Sequence, residues 1–195
     1  MLSVASRREM TRRHWRIPHP EVTKHYGLGT MAGTVKGHDW FGHGGAFQGF
    51  ISRTACVPEW GVTISITTNA IDGMAGEWVD GTISILHEFA RHGRASAEVA
   101  DWAGRWWTCW GAIDLVPMGT GVLAAMPDLL APFSERSEIK ITGPNEGRIN
   151  VAPGFGNHGE RVRRVLGANG RPERLHLAGT TLVPEAAMVR EIEAR

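Results

Sequence analysis

Between Val62 and Asn69 the side chains alternate. Ile64, Ile66 and Thr68 stand against Ser65, Thr67 and Asn69, which predicts a strand with one apolar face. Two β-prone runs precede it, near 40–47 and 50–57, and Pro58, Glu59 and Gly61 supply the turn before the last run, so the three form an antiparallel meander. Upstream, Tyr26 to Gly33 predicts a glycine-rich strand, and Gly37 and His38 a turn. Residues 3–14 predict a helix with Ser3 as N-cap, a second S-x-x-E signal at Ser6 and Glu9, and Leu2 and Met10 packed beneath. Pro18 and Pro20 then forbid helix and impose an extended loop. A second helix is predicted over 75–92, with Trp78, Ile85 and Phe89 as its apolar stripe, Ile83 and Leu86 beside them, and Gly93 as its stop.

The pattern changes after Arg91. The small, polar segment RHGRASAEVA marks a domain boundary, giving domains 1–92 and 93–195. Eight short β-prone runs follow with Gly/Pro turns between them: Arg105 to Trp110, Ala112 to Pro117, Gly121 to Met126, Ser137 to Thr142, Arg148 to Val151, Glu160 to Leu166, Pro172 to Leu177 and Thr180 to Pro184. Ala168-Asn169-Gly170 is a hairpin signal. So many strands in so short a span predict a small barrel or sandwich. The fold class expected for the whole chain is α+β: a partial antiparallel sheet with flanking helices, then a small all-β domain.

Composition narrows the chemistry. The 195 residues carry a net charge of +1, which leaves no electrostatic footprint for nucleic acid. The arginines between Arg7 and Arg16 read as a solvated helix face. No apolar run is long enough for a membrane span, and Met1 to Arg16 lacks the apolar core of a signal peptide. Cys56 and Cys109 form no CxxC pair and read as two buried thiols, with a disulfide the sharper alternative. The 9 histidines show neither HExxH nor paired Cys/His spacing, so neither a metal nor another cofactor is expected.

One stretch carries candidate chemistry. In FGHGGAFQGF, Phe41 to Phe50, a histidine precedes paired glycines. Gly44 and Gly45 lack a Cβ, so another molecule's backbone can approach closely; a β-bulge is the alternative. His43 reads either as a site residue or as a strand histidine satisfied by a neighbour. Trp40 and Phe47 suit a cleft wall or core packing, and His38 with Asp39 suits a solvated turn. Trp102, Trp106, Trp107 and Trp110 suggest an aromatic seam between the two domains. Asn157, His158 and Glu160 make a polar turn without evident chemistry.

HGGAFQGF resembles the third motif of the penicillin-recognising serine hydrolases, which include serine β-lactamases, D,D-peptidases and related esterases. Their motif reads K-T-G or H-x-G on an edge strand. By position, His43 takes the Lys/His place, Gly44 the middle and Gly45 the fixed glycine, and Ala46 takes the place whose N–H helps form the oxyanion hole. YGLG at Tyr26 to Gly29 and GVTISITTNA at Gly61 to Ala70 match the family's surroundings. WWTCWGAIDLVPMGTGVLAAMP and HGERVRRVLGANGRPERLHLAG resemble the lipocalin-like domain appended to many such bacterial hydrolases. The resemblance implies His43 and Ala46 as catalytic groups, Gly44, Gly45 and Phe47 as substrate-binding groups, and a small-molecule or peptide amide or ester as substrate. Intact relatives are often extracytoplasmic.

The family's other requirements are unmet here. It needs a nucleophilic serine in S-x-x-K and a second motif of the Y-x-N type. Tyr26 is the only tyrosine, and Leu28 stands where Asn is needed. Ser137 to Lys140 spells S-x-x-K, but it follows the third motif and lies in a strand-like segment, where Lys140 points away from Ser137. LSVASRREM resembles a late helix of the family's helical lobe. The expectation is therefore a C-terminal fragment, inactive or nearly so alone, with a non-catalytic barrel module or a partner-complemented half enzyme as the alternative. An N-terminal complementing chain would be its partner.

Overall fold

The structure is a computed structural model that describes residues 2–18, 24–153 and 157–194. Pro20, one half of the expected helix breaker, lies outside them. The chain divides into two compact units, Met1–His87 and Glu88–Arg195. Among the described residues the fold is mixed α+β, with two antiparallel sheets, one of them barrel-like, and three α-helices. No helix among the described residues is long and apolar enough to cross a membrane.

The first unit opens with α1 (Val4–Thr11), whose N-cap Ser3 accepts a hydrogen bond from the Ser6 amide at 3.1 Å. A six-stranded meander follows in chain order: β1 (Trp15–Arg16), β2 (His25–Tyr26), β3 (Met31–Val35), β4 (His38–Phe47), β5 (Phe50–Val57) and β6 (Val62–Thr68). The expected strand over Tyr26 to Gly33 is thus two strands. Gly29, with φ +74°, turns the chain between them, and the Gly27 amide closes that turn on the Thr30 carbonyl. The expected turn at Gly37 and His38 sits one residue earlier. Lys36 (φ 50°) and Gly37 (φ 84°) form it, and His38 already belongs to β4.

Helix α2 (Ala75–His92) has the predicted limits. The Gly93 amide closes it on the Phe89 carbonyl at 2.8 Å, with Gly93 in the left-handed conformation (φ +73°). Its buried stripe is not the predicted one. Trp78, Ile85 and Phe89 are exposed, whereas Ala75, Val79 and Ile83 are buried. Val79 and Ile83 pack with Trp40, Ala55 and Val57 of the sheet. The helix is apolar on two sides, and Trp40 already fills the layer beneath, so the face of smaller residues fits.

The second unit begins within α2 and continues through a 3₁₀ turn (Ala100–Trp102) into eight strands. These are β7 (Gly104–Thr108), β8 (Gly111–Met118), β9 (Gly121–Ala125), β10 (Ser137–Gly143), β11 (Glu146–Val151), β12 (Arg161–Leu166), β13 (Pro172–Leu177) and β14 (Thr180–Leu182). All eight predicted runs appear. Every neighbour pair is antiparallel, and a bridge between Trp107 and Val183 joins the two ends of the sheet with hydrogen bonds of 2.8 and 3.0 Å. The sheet is thereby nearly closed. The hairpin signal at Asn169-Gly170 is real: Gly170 has φ +74°, and the Asn169 side chain accepts from the Arg171 amide at 2.8 Å.

Trp102 and Trp106 belong to the barrel's own core, with Leu115, Ile139, Ile149, Leu175 and Leu182, while Trp110 is 91% exposed. The tryptophans therefore do not act as one seam. Beneath them lies a buried cation, Arg164. It stacks over the Trp102 ring at 4.2 Å and donates to the Asp101 carboxylate and carbonyl, both at 2.8 Å, and to the Pro144 carbonyl at 2.6 Å. A terminal helix, α3 (Glu185–Glu193), follows the barrel. The strand-only expectation for this half missed it.

Burial pushes the Asp80 carboxyl on α2 above the usual range, against the opposing pull of Lys24 and Arg53. A raised folded-state value means that ionised Asp80 opposes folding at neutral pH. Asp80→Asn is expected to raise the chemical-denaturation midpoint at pH 7. The gain should fade as pH falls through Asp80's titration, because the protonated carboxyl no longer opposes folding.

Candidate functional site

Register decides what β4 offers. The Lys36-Gly37 turn has positive φ at both central residues, the type I′ geometry that closes on a hydrogen-bonded pair, here Val35 and His38. Hydrogen-bonded and non-bonded pairs alternate along an antiparallel ladder. His38, Trp40 and Gly42 therefore turn their peptide groups to β3, and Phe41, His43, Gly45 and Phe47 turn theirs to β5. The β3 ladder ends at Met31–Gly42, while the β5 ladder continues to Phe47–Phe50. By the same alternation, Gly44 and Ala46 aim their N–H and C=O groups past the end of β3. Among the described residues, no loop backbone hydrogen bond reaches either.

His43 is exposed on this stretch, between the paired part of β4 and its free edge. Its Nδ1 lies 2.5 Å from the Gly44 carbonyl, and its Nε2 lies 2.8 Å from the Tyr26 hydroxyl on β2. The two rings meet edge to face, 5.8 Å apart at 81°. Sequence reasoning placed Tyr26 in YGLG and at the head of an incomplete Y-x-N, but no spacing signal links it to His43. A row of hydroxyls continues sideways: Thr54 pairs with His43 in register, Ser65 pairs with Thr54, and their oxygens are 2.8 Å apart.

The glycines differ in what they permit. A Cβ on Gly42 would overlap the Thr54 carbonyl, whereas one on Gly45 would meet only the Ser52 hydroxyl at 2.9 Å. Steric need is thus greatest at Gly42, which the sequence reading did not single out. Phe47 sits at the hairpin tip, 77% exposed, opposite Phe50.

His38 is no solvated turn residue. Its Nδ1 lies 2.7 Å from Glu59, its Nε2 lies 2.9 Å from His87 Nδ1, and its ring packs 4.2 Å from that of Trp60. Asp39 accepts from Thr34 and Arg13, each at 2.6 Å. The Thr34 hydroxyl holds the Asp39 carboxyl below its ordinary range, and Arg13 acts in the same direction against slight burial. Both groups lie back along β4 from the free edge.

Ser137 and Lys140 both lie in β10, three places apart on opposite faces. Cys56 is partly buried and Cys109 exposed, both as free thiols, so the expectation of two buried thiols fails at Cys109. Among the described residues, no group of three or more His, Cys, Asp or Glu side chains is placed to hold a metal ion.

No family model matches the chain, and neither does any curated protein. Among solved structures, it is similar to an octameric penicillin-binding protein homologue from Pyrococcus abyssi, with 13% identity, TM-score 0.36, 90% of this chain and 40% of that one. It is also similar to SurE, alone (14% identity, TM-score 0.34, 90% and 41% covered) and with D-Leu (14%, 0.34, 94% and 44%). The chain spans well under half the length of these structures.

The alternation has a direct readout. Amide hydrogen exchange should be slow at His43 and Gly45 and fast at Gly44 and Ala46; uniform protection from 43 to 46 would contradict the register argument. Gly42→Ala is expected to destabilise the first unit by about 2 kcal/mol or more, and Gly45→Ala by less, because a hydroxyl rotates aside and a backbone carbonyl does not. Chemical denaturation of the full chain checks the order.

Proposed function

We propose that the chain is the C-terminal part of a β-lactamase-like serine hydrolase, followed by a lipocalin-like barrel. It supplies the strand-side half of an acyl-transfer site. The observation that supports this reading is the unpaired edge from Gly44 to Ala46 beside an exposed His43.

In this reading a small-molecule or peptide amide or ester lies along that edge. The Ala46 N–H donates to the oxygen that becomes negative as the carbonyl turns tetrahedral. Gly44 and Gly45 let the substrate backbone approach, Phe47 forms an apolar rim, and His43 is the polar side chain beside the substrate. One donor of this kind contributes about 2.7–4 kcal/mol to the transition state, far too little without a nucleophile. The serine and its lysine come from another segment or chain. The free edge of β6 and the exposed Trp78 and Ile85 of α2 suit such a complementing lobe, since uncharged edges and apolar faces seek partners.

A second reading rests on the barrel. The indole N–H groups of Trp102 and Trp106 are buried without an acceptor. A module that binds a small ligand carrying one acceptor would account for them.

Assays with nitrocefin and a p-nitrophenyl ester test the first reading. The 195-residue chain alone should show no turnover above buffer. Turnover should appear when a lobe carrying S-x-x-K is added, and fall sharply with Ala46→Pro, which removes the donor. Turnover by the chain alone that survives Ser137→Ala would overturn it. Saturable ligand binding that weakens with Trp106→Phe, without complementation, would favour the module.

A further inference from the structure

We propose that Tyr26, together with the Gly44 carbonyl, holds neutral His43 in a form that cannot donate a hydrogen bond to a bound anion, so that the site binds a carboxylate more tightly when His43 is protonated. The proposal rests on the reading of His43 as a substrate-facing group and adds to it a residue and a pH gate.

What each atom can donate or accept fixes the arrangement. A backbone carbonyl only accepts, so the contact between His43 Nδ1 and the Gly44 oxygen at 2.5 Å requires the proton on Nδ1. Neutral imidazole has one N–H. Nε2 is therefore a bare acceptor, and the Tyr26 hydroxyl at 2.8 Å must donate to it. Both ring nitrogens and the phenol proton are then used internally. From the neutral Tyr26–His43 pair, an arriving carboxylate meets only the lone pairs of the Tyr26 oxygen and gains no hydrogen bond. The geometry thus removes donation to a ligand by the neutral ring.

Protonation reverses the polarity. The new Nε2–H donates to the Tyr26 oxygen, which frees the phenol proton to turn outward. The site then offers an O–H donor and a positive ring next to the unpaired Gly44 and Ala46 amides. No carboxylate among the described residues contacts His43 to compete for that charge. The titratable groups around it are Tyr26 on β2, Arg53 on β5 and, on the sheet face that His43 shares, His25 on β2 and the Asp39–Arg13 pair. Arg53 lies close to the strand, since a Cβ on Gly44 would sit 3.6 Å from its guanidinium carbon. Arg53 therefore adds attraction for an anion at every pH, and the pH contrast comes from the Tyr26–His43 pair.

The consequence is opposite to that of deleting an ordinary binding residue. Without the Tyr26 hydroxyl, the Gly44 carbonyl alone holds the tautomer, and a carboxylate at Nε2 can draw the proton of neutral His43 across to itself. Tyr26→Phe should then improve binding at high pH. Long-range ¹H–¹⁵N spectra of the full chain, with His43 assigned by its loss in His43→Gln, read the neutral tautomer directly. The wild type should show the Nδ1–H form, and a dominant Nε2–H form would overturn the proposal.

The second arm titrates N-acetylglycine, ionised throughout, at about pH 5.5 and about pH 8. The wild type should bind about tenfold or more tightly at the lower pH, and Tyr26→Phe should bring the ratio towards one by strengthening binding at the higher pH. An equally steep ratio in Tyr26→Phe would overturn the gate. Absence of binding at both values would count against His43 as a substrate-facing group, whereas binding with an unchanged ratio in Tyr26→Phe would overturn the role of Tyr26 alone.

Discussion

Two neighbouring strands of unequal length set the terms for the first unit. β4 continues to Phe47, but β3 accompanies it only as far as Gly42. Antiparallel pairing turns alternate peptide groups to opposite sides, so the overhang leaves Gly44 and Ala46 pointing at no strand. A carbonyl-polarising edge needs no special side chain here. It needs a ladder that stops on one side while the other side holds the strand straight, and β5 does that through seven register pairs from Phe41 to Phe47.

The same overhang explains why His43 behaves as it does. With β3 ended, the imidazole stays exposed, and Tyr26 on the short β2 reaches it. Farther back, where β3 and β4 are fully paired, His38 and Asp39 are locked by Glu59, His87, Thr34 and Arg13.

In the second unit the comparable constraint is closure. Eight antiparallel strands remove their edges through the bridge at Trp107 and Val183. Closure puts Arg164 inside, where a guanidinium survives only with full compensation. Asp101, the Pro144 carbonyl and the face of Trp102 supply most of it, although Arg164 Nε remains without an acceptor. Polar atoms left over in this way, including the indoles of Trp102 and Trp106, mark where a barrel that looks filled still has hydrogen-bonding capacity.

Much of this architecture was legible in the amino-acid order. Alternation placed β6, β-prone runs between Gly/Pro turns placed β4, β5 and all eight barrel strands, and the Gly93 stop placed the end of α2, because local periodicity and turn chemistry are properties of a few adjacent residues. The apolar face of α2 was not legible, since two faces competed and only the shape of the sheet beneath chose Val79 and Ile83 over Trp78 and Phe89. Helix α3 and the split of Tyr26 to Gly33 into two strands were also missed. The candidate motif, from His43 to Phe47, stood out in the sequence. The contact that governs its chemistry did not: Tyr26 meets His43 across a gap that no spacing rule connects. Sequence settled which segments extend and which coil, because those are local free energies. Where β3 stops against β4, and which hydroxyl fills His43, were decided only when distant strands were brought side by side.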